Sequence, residues 1–216
     1  MTTIAQVKQA LKPLLDRYSD LALVGRFLVV KPVHHITRGV FVDRSIDKVA
    51  FVPDVVTDML ALEPVRRYGF WGWNPERLYD QRVGTWDVTK PETVRAMREH
   101  IEVNVLQRLR SIVSLNDYRN YEQGKSKVFS GAFEQLLFPN MMLAAAHGDF
   151  EAALQLWPVE VWFHERITKF FPEFHTALEA GDRAFIATTL RRLEAAAIKA
   201  YAMEHIWEPT PFPLEL

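Results

Sequence analysis

The sequence predicts an α+β fold, with an N-terminal helix and a small, mainly antiparallel β-meander followed by a multi-helix C-terminal region. Three observations carry this prediction. Residues 3–18 place apolar side chains at helical spacing, whereas residues 21–57 are rich in Val, Ile and Phe and are broken by proline and polar turns. From residue 89 onward, apolar stripes at three- and four-residue spacing recur between proline and Gly-Asp breaks. Strands come early and helices late, without the alternation that builds a parallel sheet.

Taken in chain order, Ile4, Val7, Leu11, Leu14 and Leu15 make the apolar face of the opening helix, with Pro13 inside the pattern. The segments LALVGRFLVVKP, HHITRGVFVDR and DKVAFVPDVV then read as three short strands. In the second, alternation sends Ile36, Arg38, Val40 and Val42 to one face and His35, Thr37, Gly39, Phe41 and Asp43 to the other. Arg38 is the single charge on its otherwise apolar face. Residues 64–88 hold three tryptophans, two tyrosines, one phenylalanine and four arginines without a sustained period, which predicts a long structured loop with a short strand or helical turn.

Thr89 and Glu92 have capping-box spacing, and Pro91 suits a first helical turn. With Val94, Met97, Ile101, Val105, Leu109 and Ile112 as its stripe, a helix is predicted over 91–114. A polar stretch, NDYRNYEQGKSK, follows. Short helices are then expected near 129–138, 140–147, 150–156, 159–170, 173–180 and 183–205. The pair Gly148-Asp149 recurs as Gly181-Asp182 thirty-three positions later. Each pair reads as a left-handed glycine closing one helix and an aspartate capping the next, which makes helical hairpins rather than a repeat solenoid. The tail EPTPFPLEL is either an extended strap or a free end. Two regions are expected, 1–88 with the helix, meander and aromatic loop, and 89–216 with the helices and Pro-rich tail. Their connection is aromatic rather than flexible, so they are expected to form one compact body.

With 26 Lys and Arg against 27 Asp and Glu, the net charge of −1 supplies no global field for nucleic acid or an anionic membrane. No apolar run approaches the ~20 residues that span a bilayer, and the first residues lack the order of a secretory signal, so a cytoplasmic location is expected. The absence of cysteine excludes disulfides, thiolate nucleophiles and cysteine-held zinc or iron–sulfur clusters. No metal or cofactor is expected. His34 and His35 point to opposite faces of a strand, and neither H-x-H nor H-E-x-x-H occurs. Glu160 and His164, four residues apart, read as a plain side-chain contact. Dinucleotide, P-loop, nucleophile-elbow and kinase signatures are all missing.

Two functional expectations follow. The leading one is a non-enzymatic cytoplasmic binding protein that contacts a protein partner through Arg66, Arg67, Trp71, Trp73, Arg77 and Trp86, because Trp and Arg dominate interface energetics. Homodimerisation through the helical half is a further expectation. The alternative is a small-molecule enzyme with His34 or His35 as general acid or base and Arg38 as an anion clamp in a sheet-side pocket. It requires a histidine and Arg38 to converge on one cavity.

Overall fold

The computed structural model describes residues 2–45, 47–65, 75–126, 137–157 and 171–216. Helix α1 (Ile4–Arg17) is followed by strands β1 (Leu21–Val24), β2 (Phe27–Val30), β3 (Ile36–Arg44) and β4 (Ala50–Met59), then a 3-10 segment, Leu60–Val65. Two short strands, β5 (Glu76–Arg77) and β6 (Trp86–Asp87), precede α2 (Pro91–His100), a π-helical turn (Ile101–Val105), α3 (Leu106–Arg110) and α4 (Leu115–Ser126). The remaining described elements are α5 (Leu137–His147), α6 (Phe150–Gln155), α7 (Phe174–Glu179), α8 (Arg183–Ala200) and a terminal 3-10 turn, Pro213–Glu215. The α+β class is therefore as the sequence predicts, with an antiparallel sheet of consecutive strands followed by helices.

The chain divides into two compact units, one holding 1–58, 70–113 and 205–208, the other 59–69, 114–204 and 209–216. In the first unit, α1 starts at a full capping box. The Thr3 hydroxyl accepts from the Gln6 amide at 3.2 Å while the Gln6 side chain accepts from the Thr3 amide at 2.8 Å. Val7, Leu11 and Leu14 form its buried face, and the helix packs on β1 and α2. The segment expected as one strand from Leu21 is a hairpin, because Gly25 takes φ 61° at the first central position of a two-residue turn and pairs Val24 with Phe27. Leu28 pairs with Val40 and Val29 with Gly39 across β2 and β3. The sheet order runs β1-β2-β3-β4-β5, with β6 also on β4.

The helix predicted over 91–114 ends at Arg110 and carries a π turn at its centre. Its apolar positions Met97, Ile101, Val105 and Leu109 are spaced by four, and on an α-helix each such step overshoots a full turn by about 40°. The wider π turn takes up that drift, so all four side chains stay buried. At the start, Lys90 is the N-cap without a side-chain bond, and Pro91 occupies the first turn. Thr89 instead gives its hydroxyl and amide to the Asp87 carboxylate at 2.7 and 2.9 Å, so the capping-box spacing is not used.

In the second unit, the 3-10 segment Leu60–Val65 and α5 both pack against α8, and the terminal 3-10 turn lies on α5 and α8. Phe212 and Leu214 are buried, so the Pro-rich tail is a strap. The polar stretch after residue 114 is α4, a helix that sequence periodicity does not show. The helices expected near 129–138 and 159–170 lie mostly or wholly outside the described residues. Both Gly-Asp breaks have the expected caps. Gly148 and Gly181 take φ 78° and 65°, and Asp149 and Asp182 accept from the Ala152 and Phe185 amides. The amides of Asp149 and Asp182 reach back to Ala144 and Ala177, which completes a Schellman motif at each.

At Gly39 an added Cβ would lie 2.0 Å from the Leu28 carbonyl oxygen and 2.8 Å from the Phe27 ring. Gly39→Ala is therefore expected to cost about 3 kcal/mol or more in urea denaturation, since the neighbouring strand has to move. Gly181→Ala has open space and is expected to cost only the left-handed penalty of about 1–2 kcal/mol. Equal losses at the two positions would refute this account of the β2–β3 approach.

Candidate functional site

Three places in the first unit gather unexplained polarity, and each is built by a different local rule. The first is the outer edge of β4. There β6 pairs with Ala50 and Phe51 while β5 pairs with Asp54 and Val55, so β5 and β6 are two ends of one interrupted edge strand. Pro53 sits at the interruption, where its missing N–H leaves nothing for a neighbour to satisfy, and its carbonyl still accepts from Leu78 at 2.9 Å. Residues 79–85 form the excursion between the two ends.

This excursion is held at its base and at its tip. At the base, Trp86 is 3% exposed, donates its indole N–H to the Leu78 carbonyl at 2.9 Å, and meets the His100 ring edge-on at 6.1 Å. At the tip, the Asp80 carbonyl accepts from the Val83 and Gly84 amides, with Gly84 at φ 69°. The Asp80 carboxylate accepts from the Arg82 amide and guanidinium at 2.7–3.0 Å, and these bonds hold its pKa down to about 2. Tyr79 stands 60% exposed between these anchors.

Two grooves flank the excursion. One, of about 380 Å³, runs along Phe51 and Pro53 to Arg77, Tyr79 and Trp86, with Asp47 on its rim. The other, of about 430 Å³, lies between Asp80, Arg82 and Val83 and the helical residues Glu99, His100 and Val103. Arg77 bridges its own strand to β4 by donating Nε–H to Asp54 at 2.6 Å, and Glu76 receives a two-pronged bond from Arg108 on α3 at 2.5 and 2.6 Å. Burial raises the Asp54 pKa, with the Arg77 bond opposing it. Of the six predicted contact residues, the structure places Arg77 on the first groove with an exposed side chain and Trp86 beneath it as a buried wall. Arg66, Arg67, Trp71 and Trp73 lie outside the described residues, as do Glu160 and His164.

The second place is the Lys31–Arg38 region. His34 donates Nδ1–H to the Glu208 carbonyl at 2.8 Å, beside the bridge that joins Val33 to Trp207. His35 is half-buried and has partners of its own. Arg38 is 5% exposed, its Nε has no partner, and its one hydrogen bond runs from Nη1 to the Pro32 carbonyl at 3.3 Å. Burial lowers its pKa, with Asp20 the acid whose charge opposes that shift. Neither histidine nor Arg38 lines either of these two grooves. Among the described residues no group of three His, Asp or Glu is arranged to hold a metal ion.

The third is a charge cluster that sequence reasoning missed. Asp20 receives both arms of Arg110 at 2.7 and 2.9 Å, and the same guanidinium lies 4.6 Å over the Tyr18 ring. Tyr18 and Arg17 in turn donate to Glu102 of the π turn at 2.5 Å. The hydrogen-bonded partners are 84–90 residues apart, so no local spacing could have announced them. Arg26, at the hairpin turn, was missed as well. It is 7% exposed and donates to the carbonyls of Val42, Thr2 and Asp43 and to the Thr2 hydroxyl at 2.5–3.1 Å.

No protein-family model, curated protein or solved structure matches the chain. No helix among the described residues is long and apolar enough to cross a membrane.

The Arg110 hydrogen bonds, reinforced by charge, hold Asp20 below the usual carboxylate range, against desolvation that acts the other way. A folded pKa below the unfolded one stabilises the fold above about pH 4, and that stability is lost as pH falls through the folded value. Asp20→Asn is therefore expected to lower the urea midpoint at pH 7 and to flatten its decline toward pH ~2.5. An acid limb as steep as that of the parent protein would remove Asp20 from this role.

Proposed function

We propose that the chain is a non-enzymatic binding protein whose contact surface is the 77–86 excursion at the β4 edge, with a protein as its partner. The observation that carries this reading is that two grooves of the first unit share the excursion as a wall. Tyr79 and Arg77 stand exposed on it, above an apolar floor of Phe51 and Trp86. An exposed aromatic and a guanidinium over a packed apolar base are the components of an interface hot spot. Rigidity favours the same reading, since a loop already fixed by its Asp80 turn and Trp86 anchor loses little entropy on binding. Arg66, Arg67, Trp71 and Trp73 precede it in the chain and are of the same residue types.

The test is a photo-reactive residue placed at Tyr79 in cells, compared with one at the exposed Lys12 of α1. Position 79 is expected to yield a discrete protein adduct that Lys12 does not. Arg77→Ala is expected to weaken that adduct at least several-fold. Identical adducts from the two positions, or none from position 79, would sink the proposal.

A further inference from the structure

Two arginines of the first unit are buried to nearly the same extent, and they are treated very differently. Arg26 has every nitrogen of its guanidinium engaged by oxygens of Thr2, Val42 and Asp43. Arg38 has one long bond, to the Pro32 carbonyl, and an Nε with no partner at all. Burying a cation without an ion pair or a filled set of acceptors costs several kcal/mol. Among the described residues no carboxylate pairs with Arg38. The acid that acts on it, Asp20, has both oxygens taken by Arg110. Asp20 also feels the charge of Lys31, whose amide donates to the Asp20 carbonyl at 2.7 Å. Lys31, Arg38 and Arg110 thus all interact electrostatically with Asp20, whose carboxylate is already held by both arms of Arg110.

We propose that Arg38 is the base of a binding site for a small oxyanion, the carboxylate or phosphate end of a ligand, which the unfilled guanidinium donors receive beside the Pro32 carbonyl. The bond to Pro32 is only partly buried while Nε is fully enclosed, so the open side of the guanidinium is its tip. A carboxylate or phosphate offers the two acceptor oxygens that match the guanidinium fork. The missing charge is supplied at the same time. The site is distinct from the 77–86 surface and stands or falls independently of it.

The probes are inorganic phosphate and acetate, each compared with chloride at equal ionic strength. At least one oxyanion is expected to move the Arg38 Nε–Hε resonance and to raise the thermal midpoint by about 3 °C or more. Arg38→Met keeps the length of the side chain and removes the unpaired charge. It is expected to fold, to be at least as stable as the parent in chloride, and to lose the oxyanion response. A response to phosphate alone or to acetate alone identifies which kind of ligand end the site takes. An unmoved Arg38 resonance overturns the proposal, as does an Arg38→Met protein that responds like the parent, which would mean an adventitious ion only. Should Arg38→Met fail to fold, the resonance of the parent protein decides the matter by itself.

Discussion

The centre of the sheet is buried on both faces. From Ile36 to Val40 every residue of β3 is buried, so each polar group there has to find its partner within the protein. This constraint explains much of the first unit. Arg26 meets it by stitching the β1–β2 turn to the end of β3 and to the residues before α1, with charge-assisted bonds worth about 1.5–3 kcal/mol each at most. Outside this buried centre, the part-exposed Asp20 is held by Arg110, which fastens the start of β1 to α3. Thr37 and Arg38 retain buried atoms with no hydrogen-bond partner, and of these the guanidinium is by far the more costly.

At the sheet's other end the difficulty is an edge rather than a core. A ten-residue strand such as β4 would present a long row of backbone groups to any passing strand. Covering it with a continuous partner is blocked where Pro53 offers no donor. The chain covers it in two pieces, β5 and β6, and projects residues 79–85 outward between them. Because both pieces are anchored, by Glu76 to Arg108 and by the Trp86 indole to Leu78, the projection has a defined shape. Grooves on either side follow from that shape. Edge protection and a surface suited to contact thus have one structural cause.

What was legible in the sequence is what local chemistry dictates. Period and caps gave α1, the strand-rich segment, the helical stripe from Pro91 and both Gly-Asp breaks. The hairpin at Gly25-Arg26 passed as one strand because apolar residues run on both sides of it and a single Gly is a weak turn signal. Helix α4 escaped because its surface is polar, while the residues that tie it inward, Tyr118, Glu122 and Lys125, include a buried ion pair of 2.8 Å. Periodicity counts such residues as solvated. For the candidate site, alternation singled out Arg38 as a charge on an apolar face, and the structure buries it. Its lack of a carboxylate depended on Arg110 claiming Asp20 from ninety residues away, which no spacing rule contains.

The two Gly-Asp breaks show how far a local rule reaches. They share a Schellman closure followed by an aspartate N-cap, the second adding a bond from the Arg183 amide to the Gly181 carbonyl, and each joins two helices that pack together. Their surroundings differ. A Cβ added at Gly148 would lie 3.2 Å from the Arg183 guanidinium and 3.4 Å from the Leu214 side chain, and that guanidinium also donates to the Leu214 carbonyl, whereas a Cβ at Gly181 would meet nothing within 4 Å. In a true repeat the same neighbours would recur along with the same caps, because each unit buries its face on the next. Here the strap that covers one break has no counterpart at the other. The thirty-three-residue echo is therefore a shared solution to ending one helix and starting the next, reached twice in different packing environments.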